Sequence, residues 1–109
     1  MILRIVRMEF RPETTDTFHR LFDQYKIMIA AVPGCLRLEL YEDADHPQVR
    51  YTYSWWADTA SLAAYRQSAL FGQVWPATKQ LFARPPQAFS LRKREEVSPD
   101  LTRPEMVQG

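Results

Sequence analysis

Tyr51–Phe71, YTYSWWADTASLAAYRQSALF, decides the fold. Its opening residues put Tyr51, Tyr53 and Trp55 on one side and Thr52, Ser54 and Trp56 on the other. That is the two-residue period of a strand, here rich in aromatic side chains. Asp58 then offers a carboxylate to cap a helix. Thr59–Ser68 reads as that helix, with Leu62 and Tyr65 on its apolar face. A strand running through a cap into an amphipathic helix is one half of a βαβ-type unit.

The same succession opens the chain. Residues 2–10 alternate, with Ile2, Val6, Met8 and Phe10 on one face, Arg4 among them, and Leu3, Ile5, Arg7 and Glu9 opposite. Pro12 stops the strand because it has no N–H for the ladder. From about Glu13 to Ala31 the period lengthens. Phe18, Leu21, Phe22, Tyr25, Met28, Ile29 and Val32 form a helical stripe, with Thr14, Thr15 or Asp16 as the cap. Pro33-Gly34 ends it: proline disfavours the helical region for Val32, and glycine permits the reversal.

Cys35–Glu42 alternates again, Leu36, Leu38 and Leu40 against Cys35, Arg37, Glu39 and Tyr41. A polar loop, Asp43–Pro47, leads into the aromatic strand Val49–Trp56. Beyond Gly72, Phe71, Val74, Trp75, Thr78, Leu81 and Phe82 keep a helical period, and Pro76 marks a first turn or a kink. Pro85-Pro86 break the chain before a short strand, Ala88–Lys93. Residues 1–94 form the domain. The polar segment 95–109 is a C-terminal tail, expected to pack on a partner subunit.

The order β-α-β-β-α-β is that of the ferredoxin-like α+β fold, a four-stranded antiparallel sheet with its helices on one face. The uncovered face should be polar in a monomer. Here it carries aliphatic and aromatic residues of the first and third strands. A patch of that kind marks an interface, so the sequence predicts a homodimer built sheet to sheet. Arg7, Glu9, Arg37 and Glu39 on that face pair across strands or across the interface.

The chain has 109 residues, 14 basic and 13 acidic, for a net charge of +1. That balance gives no pull toward nucleic acid or anionic membrane. Hydrophobic content of 46% supports a packed core rather than disorder. One cysteine, Cys35, excludes an internal disulfide and a multi-cysteine metal site. No apolar run is long enough for a signal peptide or a membrane span, so a soluble cytoplasmic protein is expected.

Several elements together resemble the antibiotic biosynthesis monooxygenase domain, a dimeric α+β barrel. They are Val32-Pro33-Gly34 at the end of the first helix, Leu36/Leu38/Leu40 in the next strand, and Trp56-Ala57-Asp58 at the following strand end. Tyr65 and Ser68-Ala69-Leu70-Phe71 complete the pattern in the second helix. The resemblance spans about Met1 to Arg94. It implies a family of cofactor-independent oxygenases of quinols and aromatic polyketides, haem-degrading enzymes and proteins without known activity. The haem-degrading branch looks for Asn, Trp and His where this chain has Val6, Tyr65 and Trp75. A tryptophan cannot ligate haem iron, which argues against that branch.

The site residues follow from the same reading. Tyr65 and Trp75 are candidates to stack on and orient a flat substrate, with core packing as the plainer role. Arg4, interrupting an apolar face, either stabilises a substrate anion or reaches solvent at a strand end. Tyr53 or Ser54 is expected to hydrogen-bond the substrate. Trp56 and Trp55 divide between pocket wall and dimer anchor. His19 and His46 read as solvated, and no metal ligand set is present. The leading expectation is a cofactor-free monooxygenase of a small aromatic, quinol or polyketide-like substrate. The alternatives are a non-catalytic dimeric ligand-binding or stress-response module, and a different enzyme, such as an isomerase or decarboxylase, on the same scaffold.

Overall fold

In a computed structural model, which describes residues 1–99, the elements follow the expected order. They are β1 (Ile2–Glu9), α1 (Thr15–Ala30), β2 (Cys35–Glu42), β3 (Val49–Trp56), α2 (Thr59–Arg66), α3 (Ala69–Lys79) and β4 (Gln87–Leu91). A single 3-10 turn, Pro12–Thr14, precedes α1. The expected packing of segment 95–109 on a partner falls mostly on residues 100–109, outside those described.

The four strands make one antiparallel sheet in the order β2-β3-β1-β4. This is the ferredoxin-like arrangement of an α+β fold. In register, Ile2 faces Trp56, Arg4 faces Ser54 and Val6 faces Thr52 across β1 and β3. Arg4 also faces Ser90, and Val6 faces Ala88, across β1 and β4. Because side chains alternate, this set shares one face, and the helices cover it. Two apolar clusters sit there. Ile2, Trp56 and Leu62 pack with Val32, Cys35 and Tyr65. Met8, Phe10 and Phe18 pack with Val6, Phe22, Leu40, Leu81 and Phe82. Burying side chains of this size contributes about 1.5–3 kcal/mol each, which is what holds the helices to the sheet.

Several local features differ from the sequence reading. The register shifts between Cys35 and Arg37, so a bulge interrupts the Leu36/Leu38/Leu40 alternation. Cys35 thereby lies opposite Trp56 and joins the core, while Leu36 is left exposed. Thr14 stands at the N-cap of α1, but its hydroxyl does not cap the helix. It donates instead to the Leu81 carbonyl at 2.7 Å, tying the start of α1 to the end of α3. Met28, placed by periodicity in the buried stripe of α1, is 47% exposed, and so is its neighbour Ile27 at 76%.

The break between the last two helices falls before Gly72. Gln67 ends α2, and Ser68 caps α3 by accepting the Phe71 N–H at 3.2 Å. Gly72 and Pro76 both lie inside α3. The missing proline N–H would have reached Gly72, four residues back. Asp58 caps α2 as expected, accepting the Ser61 N–H at 2.7 Å. Gly34 adopts φ +86°, the left-handed region where a side chain is strained. Its carbonyl accepts the Ala57 N–H at 2.8 Å, fastening the α1–β2 turn to the β3–α2 corner.

Among the described residues no helix covers the other face of the sheet. Leu3, Ile5, Tyr53, Trp55, Phe89 and Leu91 emerge there. Tyr53 packs edge-on against Tyr41, centroids 5.0 Å apart, and the Arg37 guanidinium sits 5.5 Å above Trp55. The charges on this face pair along their own strands rather than across strands, Arg37 with Glu39 and Arg7 with Glu9. No helix among the described residues is long and apolar enough to cross a membrane.

Candidate functional site

The helices do not fill the space above the sheet. Between α1, α2, α3 and the covered face lies a cavity of about 240 Å³. Its floor is sheet: Arg4 and Val6 from β1, Thr52, Ser54 and Trp56 from β3, Leu38 from β2 and Ala88 from β4. Its walls are Phe18 and Phe22 of α1, Tyr65 and Arg66 of α2, and Phe71, Trp75 and Thr78 of α3.

Aromatic rings dominate. Trp56 and Tyr65 stack with centroids 5.2 Å apart and planes 23° from parallel. Phe71 meets Tyr65 edge-on at 5.2 Å and stacks on Trp75 at 5.9 Å. Trp75 continues to Phe82 at 5.8 Å, and Phe82 to Phe10 at 5.4 Å. Each ring is held by the next, so the wall is stiff. A rigid aromatic wall suits a flat apolar body.

The polar groups are few and divide into two kinds. Some are already used. Ser54 Oγ accepts the Trp56 indole N–H at 2.9 Å, and the Thr78 hydroxyl donates to the Val74 carbonyl at 2.7 Å. Others have no hydrogen-bond partner among the described residues: the Tyr65 hydroxyl, the Thr52 hydroxyl and the Trp75 indole N–H. Burial pushes Tyr65 up to about 12, with a smaller push from Cys35. Its hydroxyl therefore stays protonated at neutral pH and acts as a hydrogen-bond donor, not as a base.

Among the described residues no Asp, Glu, His, Lys or Cys lines the cavity. Arg4 enters from β1 and donates to Ser90 Oγ at 3.0 Å. Burial lowers its pKa, and the neighbouring positive charge of Arg66 lowers it further. Among the described residues no group of three His, Cys, Asp or Glu is placed to hold a metal ion.

The structure thus brings together Arg4, Ser54, Trp56, Tyr65 and Trp75 of the residues singled out from the sequence. Tyr53 is not with them. It is one residue from Ser54 in a strand, so its side chain emerges on the open face, between Tyr41 and Trp55. Trp56 takes the cavity side, 1% exposed, and Trp55 the open side. Sequence reading passed over Arg66 and Thr52. Thr52 was recoverable, since it shares the face of Ser54 and Trp56 by simple alternation. His19 is half-buried and accepts a hydrogen bond from Arg50 at 3.2 Å, away from the cavity. The Cys35 thiol is pushed up by burial, which keeps it unreactive.

Comparison with solved structures returns the same fold. A conserved protein from Methanosarcina mazei Go1 superposes with a TM-score of 0.81 at 20% identity, over 86% of this chain and 94% of that one. A structure described as antibiotic biosynthesis monooxygenase gives 0.81 at 19% identity, over 87% and 100%. Rv0793 from Mycobacterium tuberculosis gives 0.80 at 24% identity, over 89% and 98%. No curated protein sequence matches. The family model of the antibiotic biosynthesis monooxygenases matches residues 1–75, which carry three of the four strands and most of the cavity wall. On that match, the chain belongs to the antibiotic biosynthesis monooxygenase family.

Proposed function

We propose that this protein is a cofactor-independent monooxygenase of a small aromatic or quinol-type substrate. The observation that carries the reading is the aromatic cavity with free hydrogen-bond donors and, among the described residues, no side chain able to act as a base. In such a site the substrate supplies the electrons once it has ionised, its phenolic proton passing to solvent before the ring is enclosed. In the keto tautomer the ring carbon ortho or para to the oxygen is a methylene, and it becomes a carbonyl: two C–H bonds break, one oxygen atom of O₂ enters, and the other leaves as water. The protein contributes a dry enclosure, ring-to-ring orientation and stabilisation of the substrate anion. Tyr65 and Trp75 orient the ring through stacking and their free O–H and N–H. Thr52 and Ser54 line the floor, and Arg4 stabilises the anion.

Cavity size narrows the substrate. An apolar cavity of about 150 Å³ holds a benzene ring. A volume of about 240 Å³ suits one or two fused rings, so a quinol or naphthol-sized molecule fits better than a multi-ring polyketide.

The working unit in this reading is a homodimer packed through the open sheet faces, in a reducing cytoplasm that keeps Cys35 a thiol. What supports the dimer is the aliphatic and aromatic character of that face together with its internally neutralised charges.

Oxygen-electrode measurements with a panel of one- and two-ring hydroquinones and naphthols test the function. Enzyme-dependent uptake is expected, falling at least tenfold in Tyr65→Phe or Trp75→Phe. No uptake across the panel, or uptake indifferent to both substitutions, rejects it. Ligand binding without uptake would assign the cavity to a binding module instead. Light scattering tests the assembly: a particle of twice 12.8 kDa is expected at low micromolar concentration, and a single-copy particle overturns it.

A further inference from the structure

Two guanidinium groups line the same apolar cavity, Arg4 from the sheet and Arg66 from the last turn of α2. Five other arginines meet carboxylates: Arg7 with Glu9, Arg11 with Glu13, Arg37 with Glu39, Arg50 with Glu42 and Arg84 with Glu9. Arg20, Arg92 and Arg94 meet none among the described residues, but they lie exposed away from the cavity. Arg4 and Arg66 differ in lining a cavity. Among the described residues neither Arg4 nor Arg66 meets a carboxylate, and no acidic side chain lines the cavity. Arg4 uses one donor on Ser90, and the Arg66 guanidinium makes no hydrogen bond to any described residue. The charge of Arg66 is close enough to bear on Arg4.

Arg4 is half-buried and Arg66 is exposed, so water screens their like charges and each keeps donors free for a bound anion. The guanidinium fork matches two oxygens at carboxylate spacing, and two forks match a delocalised two-oxygen anion with charge to spare. The aromatic wall stands beside them, with Trp56 and Tyr65 stacked on one side and Phe71 and Trp75 on another.

We propose that Arg4 and Arg66 form an anion clamp, which selects planar aromatic ligands bearing a two-oxygen anion, an aromatic carboxylate or the enolate of a 1,3-dicarbonyl. The inference rests on the reading of this cavity as the substrate site. It makes Arg66 a specificity-determining residue. The anionic end lies between the two arginines, and the ring body extends toward Tyr65 and Trp75.

Calorimetric titration tests this without turnover. The probes are 2-naphthoate, its neutral isostere 2-naphthamide, and 1,3-indandione as the enolate. Naphthoate or the enolate should bind at least tenfold tighter than the amide. Whichever of the two binds tighter identifies the anion. Arg66→Gln and Arg4→Gln should each bring the anion down toward the amide, leave amide affinity unchanged and keep the melting temperature. Arg66→Lys should retain part of the preference. Equal affinity for naphthoate, enolate and amide, or a preference that survives Arg66→Gln, overturns the clamp. A clear preference for the anion together with no oxygen uptake would sink the oxygenase reading and leave the clamp standing. Uptake without the preference would do the reverse.

Discussion

On the helix-covered side of the sheet, Arg4 and Arg66 stand without carboxylates, and the rings enclose a space. On the open side, Arg37 and Arg7 are each answered by a glutamate two residues along the same strand, and the rings pack against one another. One sheet thus handles the same residue types in two ways. If, as proposed, the open face meets a second copy, its charges enter already neutralised, which avoids the several kcal/mol of burying an unpaired charge. If the covered side takes an anionic ligand, its unpaired guanidiniums are what the ligand would complete. The difference lies in pairing, not in composition.

The contrast is sharpest at the adjacent tryptophans. Trp56→Ala empties the covered side and should cost about 3–5 kcal/mol in denaturant unfolding. Trp55→Ala should leave the folding of an isolated subunit within about 1 kcal/mol and weaken self-association instead. Sedimentation alongside denaturation separates the two. Equal unfolding costs in dilute monomer would erase the distinction between the faces.

Gly34 joins the two corners beneath the covered side, and Gly34→Ala should destabilise by roughly 2 kcal/mol. The new methyl faces a left-handed backbone and collides with Ser61. Adding Ser61→Gly should recover part of the loss, as read by chemical denaturation. Gly72→Ala is the control. Its Cβ meets nothing within 4 Å, so the change should be neutral or stabilising by up to about 1 kcal/mol.

Ser54→Ala leaves the Trp56 indole N–H without its acceptor and should cost about 1–3 kcal/mol. Ser54→Thr keeps the acceptor and should recover most of it. Loss of the same size in both variants would show that space, not the hydrogen bond, decides this position.

The last effect expected is alkaline. Tyr65 holds its proton up to about 12 in the folded state, above the ordinary phenol value near 10. Above pH 10 the unfolded chain therefore releases this proton first. Stability is fully present below that pH and declines as pH rises toward 12. Tyr65→Phe should flatten that limb of the pH–stability curve. An unchanged limb would mean that Tyr65 is better solvated than its packing suggests.

Much of this was legible in the sequence, for definite reasons. The alternation of Tyr51–Trp56 and of Ile2–Phe10 fixed strands and faces, because a period of two leaves no freedom once one face is buried. The same rule already separated Tyr53 from Ser54, which cannot line one space together. The bulge at Cys35–Arg37 was hidden, since an inserted residue leaves the leucine spacing untouched and shows only in the pairing with β3. Pro76 reads as a first turn or a kink, and it lies well inside α3, which runs on to Lys79. Arg66 gave no signal. An arginine in the last turn of a helix is the ordinary partner of the helix dipole, and only the tertiary fold sets it beside Arg4.

The split between Trp55 and Trp56 has a spectroscopic consequence. Neighbouring indoles, joined by one peptide bond, report on opposite sides of the sheet. With Trp55 changed to phenylalanine, the remaining emission follows occupancy of the interior. With Trp56 and Trp75 changed, it would follow the proposed contact between copies. Period-two alternation has thus given the molecule two separate optical channels, one for each face of its sheet.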